Sequence, residues 1–454
     1  MTNPSRIRRH ALAAAIGVLL AAANPALAAD AALEARVAEL EQQVQALVAE
    51  LRASRSTPPA ATATTAAAAP DAAPGAAPPA PPPAASLTPN AAPGTRFLVT
   101  GFVKLDALAS SYGDGEIADG SVGRDFYVPA AIPVGGEGED VDLDAHIKQS
   151  RLTVGTDSLT ERGDRISSRL EVDLYGNALG DERATNTYGV QVRQAYIAWN
   201  EWLAGQTWSN FQDINALPEA IDYIGPTDGT VFVRQPQLRY THGGWSFSLE
   251  NPETTLTPYG GGARISSDDN SVPDATARYT WSQPWGYLSG ALLGRQLKYE
   301  TTAGADPLDD SAYALAATLS GKFLLGDGDD IRFAVTGGQG IGRYVALNFA
   351  NDAVLDADGA LETIDGIAGY AAWRHVFSPR LRGNLMASAS DYNNDAALTG
   401  GAVNAASWAV AGNLIWTILP KLDLGIEYRH ARREIENGDE GTLDRLQFTT
   451  KYSF

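Results

Sequence analysis

The chain has 454 residues, and its acidic side chains outnumber the basic ones enough to give a formal net charge of −20. An acidic balance of this size argues against a nucleic-acid-binding protein, because the phosphate backbone would repel it. The sequence contains no cysteine, which excludes disulfides, thiolate metal sites and a cysteine nucleophile. Among the basic residues, Arg greatly outnumbers Lys, 28 to 6.

The first segment has the pattern of a secretory signal peptide. Arg6, Arg8 and Arg9 precede an uncharged apolar run over residues 11–23, and Ala26-Leu27-Ala28 forms a small-x-small cleavage site. The alternative, a membrane anchor, is disfavoured because the run is too short to cross a bilayer. We therefore predict a signal peptide over residues 1–28 and export of the mature chain.

A short helical repeat follows over residues 29–55. Its apolar residues are spaced alternately by four and three positions: Leu33, Val37, Leu40, Val44, Leu47 and Leu51. This heptad spacing predicts a coiled coil, and a lone amphipathic helix is the alternative. Val at position a with Leu at position d favours two strands, so the heptads do not by themselves indicate a trimer.

Residues 56–95 form a linker of biased composition. Of these 40 residues, 27 are Ala or Pro, and only Asp71 is charged. Such a segment cannot build a hydrophobic core and favours extended polyproline II, with a reach of roughly 120 Å at ~3.1 Å per residue. We predict a semi-rigid spacer.

The remaining residues, 96–454, alternate between apolar and polar side chains with the period of β-strands. Residues 166–175 and 445–454 are clear examples. Short connections alternate with long polar ones. The short ones are 161–164, 200–201, 242–244, 283–286, 326–329, 378–379 and 419–420. The long ones are 111–141, 177–187, 210–232, 251–274, 300–311, 343–362, 391–405 and 436–442. Seven short and eight long connections join sixteen strands, which predicts an all-β, sixteen-stranded antiparallel transmembrane β-barrel.

Aromatic residues support this interpretation. Six Trp residues lie near the short connections, where an aromatic belt would meet the membrane surface: Trp199, Trp202, Trp245, Trp281, Trp285 and Trp416. The chain ends in Phe454, with Phe448 and Tyr452 on the same face, which resembles the insertion signal of outer-membrane barrels. The alternative is a soluble β-sandwich, since alternation alone does not show which face points outward.

If the apolar face meets lipid, the polar face lines the lumen. By strand parity, basic side chains point inward at Lys104, Arg151, Arg169, Arg193, Arg239, Arg278, Arg332, Arg374, Arg382, Arg429, Arg445 and Lys451. Guanidinium groups bind carboxylates in a two-pronged geometry, so this wall favours anions. The alternative for each Arg is a structural pair with a lumen carboxylate.

Two acidic connections affect this prediction. Residues 111–141 carry seven acids and one base, and we expect them to face outward, near divalent cations and lipopolysaccharide. The third long connection offers Asp213, Glu219, Asp222 and Asp228 without a base. In outer-membrane barrels of this size the third external loop often enters the lumen as the constriction. Opposite an Arg wall, its acids would create a transverse field.

No catalytic, cofactor or metal site is predicted. The histidines have neither the spacing of a metal site nor a recognisable Ser or Asp partner. Asp356-Ala357-Asp358-Gly359 resembles the start of a calcium loop, but the following Glu362 comes too early.

Several stretches resemble the DcaP-like porins: residues 205–211, 216–219, 225–226 and 234–240, together with the opening 101–107 and 149–152. The order of signal, coiled coil, linker and barrel is also similar. The resemblance implies a homotrimeric, sixteen-stranded outer-membrane channel with an N-terminal periplasmic coiled coil. The substrates it implies are small anions, dicarboxylates in particular. It also implies that Arg151, Arg234 and Arg239 lie near the constriction.

These observations lead to the hypothesis of a passive, anion-preferring diffusion channel in the bacterial outer membrane. One alternative is a phosphate-type porin, which the scarcity of Lys disfavours. The other is a structural tether whose N-terminal segment binds peptidoglycan.

Overall fold

The computed structural model describes residues 94–176, 186–302, 307–326 and 328–454. The predicted signal peptide (1–28), coiled coil (29–55) and nearly all of the predicted linker (56–95) lie outside these ranges and stay predictions. In the described ranges, no helix has both the length and the apolar character needed to cross a membrane.

The alternating residues form a wall of long strands. These are β1 Arg96–Tyr112, β2 Asp142–His146, β3 Arg151–Leu159, β4 Arg165–Gly176, β5 Gly189–Trp199, β6 Trp202–Trp208, β7 Arg234–His242, β8 Trp245–Glu250, β11 Asp274–Gln283, β12 Gly286–Thr301, β13 Leu308–Leu325, β14 Asp329–Gln339, β17 Asp365–Ser378, β18 Leu381–Asn393, β19 Asn404–Leu419, β20 Leu422–Ile435 and β21 Glu440–Ser453. A smaller sheet within the long loops consists of β9 Thr254–Thr257, β10 Ile265–Ser267, β15 Ala353–Leu355 and β16 Leu361–Thr363. Two helical turns also lie in loops, α1 Val122–Asp125 and α2 Ala396–Thr399.

The wall closes on itself as a barrel. Strands β2 and β3 both pair with β1 and share one place in the wall, so the 17-stranded sheet has sixteen positions around the barrel. Strand β21 pairs antiparallel with β1, from Phe102 opposite Ser453 to Tyr112 opposite Leu443. This confirms the predicted sixteen-stranded antiparallel β-barrel.

The connections alternate in length as the sequence predicts. Short turns span 160–164, 200–201, 243–244, 284–285, 326–328, 379–380 and 420–421. Loops 1 to 8, in chain order, span 113–141, 177–188, 209–233, 251–273, 302–307, 340–364, 394–403 and 436–439. Asn200 and Gly243 have φ of 51° and 59°, the left-handed conformation that two-residue hairpin turns require.

The apolar side chains point out of the barrel and the polar ones point in. Leu170 and Phe448 are exposed, whereas Arg193, Glu427 and Arg445 are buried inside. A soluble sandwich or barrel would bury its apolar face, so the exposed apolar surface excludes that alternative. The six Trp residues of the belt are all exposed on this surface beside the short turns.

Three long loops fold into the barrel. Loops 3 and 6 share a buried cluster that includes Phe211 and Tyr344, and a β-bridge joins Val231 to Val345. Loop 1 contributes a second cluster around Tyr127. The expectation that residues 111–141 face outward is therefore wrong for the middle of loop 1, because an apolar stretch there is drawn inside.

Candidate functional site

Loop 3 crosses the inside of the barrel and is held on both sides of the lumen. Near β8, the Asn210 amide donates to Glu250 at 2.7 Å, and the Asn210 side chain donates to Thr276 at 2.9 Å. On the far side, the Ile221 amide donates to Glu427 of β20 at 2.9 Å. Loop 3 therefore divides the lumen.

The first two acids of loop 3 bind the wall. Asp213 accepts a hydrogen bond from Ser320 of β13 at 2.7 Å. Glu219 accepts two from Arg382 of β18, at 2.6 and 2.7 Å, in the two-pronged carboxylate geometry. Arg382 also lies 3.0 Å from Asp423 of β20. This pair fixes the middle of loop 3 against β18.

The other two acids join loop 3 to loop 1. Asp222 accepts a hydrogen bond from the Tyr127 amide at 2.9 Å, and Asp228 accepts one from the Tyr127 hydroxyl at 2.7 Å. Ser388 of β18 donates to the other oxygen of Asp228 at 2.7 Å. Complete burial raises the pKa of the Asp228 carboxyl, and burial likewise raises the pKa of Tyr127. Asp228 thus anchors two loops and does not face the opening.

A cavity of about 190 Å³ lies between loop 3 and the wall. We call it the eyelet, and its lining is Phe102, Lys104, Gln149, Arg151, Glu219, Ala220, Ile221, Asp222, Tyr223, Ile415, Asp423, Thr449 and Lys451. It brings three of the predicted cations, Lys104, Arg151 and Lys451, together with two of the predicted acids, Glu219 and Asp222.

Lys104 stabilises the loop at the eyelet. Its ammonium group lies 3.0 Å from Asp106 and donates to Gln149 and to the Ile221 carbonyl, both at 2.5 Å. Buried and paired in this way, Lys104 contributes little free positive charge.

Arg151 is less fully paired. Its nearest carboxylate, Glu171, is 3.8 Å away, and its Nε atom is buried without a hydrogen-bond partner among the described residues. Arg151 and Lys451 both lie over the Phe102 ring, at 5.3 and 4.9 Å from its centroid. These two side chains present the positive side of the eyelet.

Arg193 lies in a network beside the eyelet. It bonds to Glu171 and Asp173 at 2.8 and 2.7 Å and also donates to the Tyr223 hydroxyl. Burial raises the pKa of Tyr223, so its hydroxyl stays neutral. Glu171 and Asp173 both bind Arg193, so this Arg stabilises the adjacent strands β4 and β5.

Arg234 is the first residue of β7, where loop 3 rejoins the wall. Its guanidinium lies 4.9 Å from the Trp208 ring centroid and 5.7 Å from that of Phe232. Its Nη1 atom is buried and has no hydrogen-bond partner in the described part of the chain. The rings of Trp208 and Phe232 thus position the Arg234 guanidinium through cation–π contacts, and its Nη1 atom is left to bind another group.

Arg239 and Arg278 continue the basic surface beneath loop 3. Arg239 donates to Gln237 at 2.9 Å and to the Trp208 carbonyl. Arg278 donates to the Asn210 carbonyl and to Ser289, both at 2.7 Å, while its Nη2 atom is buried without a partner within the described ranges. Both guanidinium groups hydrogen-bond to neutral atoms, and neither forms an ion pair with a carboxylate among the described residues.

Arg169 lies apart from these residues. It bonds to both oxygens of Asp157, at 3.0 and 3.1 Å, near the short turn between β3 and β4. Arg169 therefore fits the alternative given for each Arg, which is a structural ion pair with a carboxylate.

Sequence reasoning missed the contribution of loops 1 and 6 to the lumen. In loop 6, Arg343 lies 3.3 Å from Asp274, and the Tyr344 hydroxyl donates to the same carboxylate at 2.8 Å. The sequence feature that could have revealed loop 6 is a mostly apolar stretch, residues 344–350, inside a long connection. A loop that is exposed to water along its whole length would not be expected to contain such an apolar stretch.

The exposed apolar wall, the short turns at one end and the inward loop together define an outer-membrane β-barrel of the porin type. The family model described as DcaP outer membrane protein matches residues 127–454. The chain belongs to the DcaP outer membrane protein family, which confirms the resemblance seen in the sequence. No curated protein matches the chain.

Several solved structures are similar to this chain. The outer membrane channel DcaP of Acinetobacter baumannii is 22% identical with a TM-score of 0.64, covering 80% of this chain and 98% of that one. OmpT of Vibrio cholerae is 10% identical with a TM-score of 0.48, covering 80% and 99%. An anion-selective porin from Comamonas acidovorans is 9% identical with a TM-score of 0.48, covering 79% and 100%. At these identities the likeness concerns the fold alone.

Proposed function

We propose that the protein is a passive diffusion channel for small anionic solutes and not an enzyme. The observation that carries this proposal is the set of unsatisfied guanidinium groups along the lumen. Arg151 Nε, Arg234 Nη1 and Arg278 Nη2 are buried donors without a partner among the described residues. Buried donors are usually satisfied, so these atoms are positions where water or the oxygen of an anion would bind.

Dicarboxylates fit this arrangement as a substrate class. Each carboxylate takes two hydrogen bonds from one guanidinium, and the wall offers several such groups in succession. A dianion would leave one Arg while it engages the next, which permits passage instead of tight retention.

Loop acids do not cancel this preference, because most are already paired. Arg382 binds both Glu219 and Asp423, and Arg429 lies 4.0 Å from Asp222. The electric field that remains in the lumen points from the guanidinium groups of the wall toward loop 3. The chain's overall charge of −20 does not determine selectivity, because the position of each charge determines the field in the pore.

The test is the reversal potential across a planar bilayer in a salt gradient. The wild-type channel should favour chloride over potassium, and the triple variant Arg151→Gln, Arg234→Gln, Arg278→Gln should lose that preference. At about 1 kcal/mol for a charge 4 Å away in a water-like medium, each guanidinium contributes roughly fivefold.

The matched control removes the same charge at the short-turn end: Arg162→Gln, Arg165→Gln, Arg380→Gln. These residues are exposed, and salt screens them beyond about 10 Å. The control should keep its selectivity. A cation-selective wild-type pore, or an unchanged reversal potential in the lumen variant, would contradict the proposal.

The remaining expectations complete the proposal. The short turns and the N-terminal segment lie on the periplasmic side, and the long loops face lipopolysaccharide, because bacterial barrels keep their short turns in the periplasm. We propose a homotrimer in the lipid bilayer, without a cofactor. Peptidoglycan remains a candidate partner for residues before the barrel.

A further inference from the structure

A buried histidine faces a buried aspartate on the inside of the barrel wall. His146 ends β2 and lies directly opposite Asp106 of β1 in the strand register. The two residues are 2% and 0% exposed, so both side chains point into the barrel. Residues that lie directly opposite in an antiparallel pair have Cβ atoms about 4.5–5.5 Å apart. Neither residue lines the eyelet, so the proposed anion pathway does not account for this pair.

The two facing atoms of the pair are both hydrogen-bond acceptors. His146 Nε2 lies 2.8 Å from the Asp125 carbonyl oxygen of loop 1. Because a carbonyl oxygen only accepts, Nε2 carries the hydrogen, and a neutral imidazole then has none on Nδ1. His146 Nδ1 and Asp106 Oδ2 are both buried without a hydrogen-bond partner among the described residues. One proton added on Nδ1 would give both atoms a partner.

Charged groups surround the pair on every element packed against it. The charged and titratable residues of β1, β2, β4, loop 1 and the segment between β2 and β3 are Lys104, Asp106, Asp142, Asp144, Tyr175, Arg124, Asp125 and Lys148. Arg124 lies 3.1 Å from each of the two β2 carboxylates, and Lys148 lies 2.6 Å from Asp125. The Tyr175 ring packs edge-on against the imidazole, with 6.2 Å between centroids. The acids of β2 and loop 1 therefore already have cations of their own.

Asp106 connects the pair to the constriction. Its Oδ1 atom lies 3.0 Å from Lys104 Nζ, and Lys104 also donates to the Ile221 carbonyl of loop 3 at 2.5 Å. On the other side, His146 donates to the Asp125 carbonyl of loop 1. A chain of polar contacts thus runs from loop 1 to loop 3, with one bond missing between the imidazole and the carboxylate.

We propose that His146 and Asp106 form a proton-binding site that adjusts the channel to pH. Uptake of one proton places a hydrogen on His146 Nδ1, which donates to Asp106 Oδ2 and completes the chain between the two loops. Imidazole is the side chain whose charge ordinarily changes between pH 5 and 8. The added charge lies beside Asp106, two residues or about 7 Å along β1 from the eyelet residue Lys104. This inference rests on the proposed function, because the added charge acts on anion passage.

The first test repeats the reversal-potential measurement on the full-length protein at pH 8 and at pH 5. The chloride preference of the wild type should rise roughly twofold at pH 5, the effect of one charge about 7 Å away in a water-like medium. The variant His146→Gln keeps an N–H donor for the Asp125 carbonyl but has no group that takes up the proton. It should therefore lose most of that rise.

The outer surface supplies a matched control. His430 of β20 and Asp444 of β21 are also directly opposite, and their side chains are bonded at 2.9 Å. These side chains are 34% and 49% exposed on the outside of the barrel. The variant His430→Gln removes the same residue type from the same kind of pair and should keep the wild-type rise.

A second measurement reads the proton on each histidine directly, by mass spectrometry of deuterium exchange at the imidazole C2 position. In the wild type, the His146 exchange rate should follow a titration between pH 8 and pH 5. The variant Asp106→Asn removes the acceptor and should move that transition to lower pH. Heat-modifiable migration shows that each variant has folded.

Three outcomes would overturn the inference. One is a His146 that stays neutral over the whole range, and another is a full pH response in His146→Gln. The third is a His146 transition that Asp106→Asn does not move, which would assign the partner of Nδ1 to a buried water. A pore that prefers cations at both pH values, with the His146 transition intact, would contradict the proposed function alone.

Discussion

The pair formed by Glu219 and Arg382 provides a direct test of how loop 3 holds the constriction. Two charge-assisted hydrogen bonds join them, and their side chains are 35% and 18% exposed. Exposed pairs contribute ~0.2–1 kcal/mol, and breaking a buried one costs ~3–5 kcal/mol. For this half-buried pair we expect about 1.5 kcal/mol, which is roughly a tenfold change in an equilibrium.

The variant Glu219→Gln should therefore raise the population of channels with loop 3 detached about tenfold. Arg382 keeps Asp423 and Thr417 as partners, so the substitution leaves no orphaned cation. Single-channel recordings would show more frequent excursions to higher conductance, because a detached loop widens the lumen.

The matched control is Glu440→Gln, which removes a carboxylate that pairs with Arg432 at the outer end of the barrel. The control should leave the excursions unchanged. Equal excursions in both variants, or none in Glu219→Gln, would refute the argument that this pair positions loop 3. The variant Arg382→Gln should have a larger effect, since it removes the cation between Glu219 and Asp423 and leaves Glu219 with Arg374 at 4.0 Å.

Three further predictions concern the anchors of loop 3. A Cβ at Gly229 would collide with the carbonyl oxygen of Gly369. Gly229→Ala should therefore lower the temperature at which the folded band is lost when samples are heated before electrophoresis. The variant Tyr127→Phe leaves a buried carboxylate with one donor fewer and should cost about 1–3 kcal/mol in urea unfolding. Burial raises the pKa of Asp228 above the ~3.9 of an unfolded chain, so stability should fall as the pH rises through that interval. The variant Asp228→Asn should abolish this part of the pH dependence, and an unchanged slope would contradict it.

Much of the barrel was predictable because its signals are local. A period of two, turn residues such as Asn200 and Gly243, and Trp residues beside the short turns each depend on a few neighbouring positions. Alternation does not reveal which face points outward. That decision came from the exposure of side chains such as Leu170 and Phe448, which depends on closure of the whole wall.

The partners of the lumen charges were not predictable. Glu219 and Arg382 are 163 residues apart in sequence, and no local pattern indicates their contact. Strand parity gave the direction of Arg169 and Arg193 but not the carboxylates that bind them. The guanidinium atoms left without partners could be identified only after all these pairs were placed.

One diversion of the chain produces both the constriction and the short strand β6. Strand β6 ends at Trp208, and the chain then runs through loop 3 inside the barrel before β7 begins at Arg234. Residues that would have raised the wall at this point instead fill the lumen and carry the acids that bind β13 and β18. Loop 3 therefore sets the width of the pore and the length of β6 together, because the residues that narrow the lumen are those withdrawn from the wall.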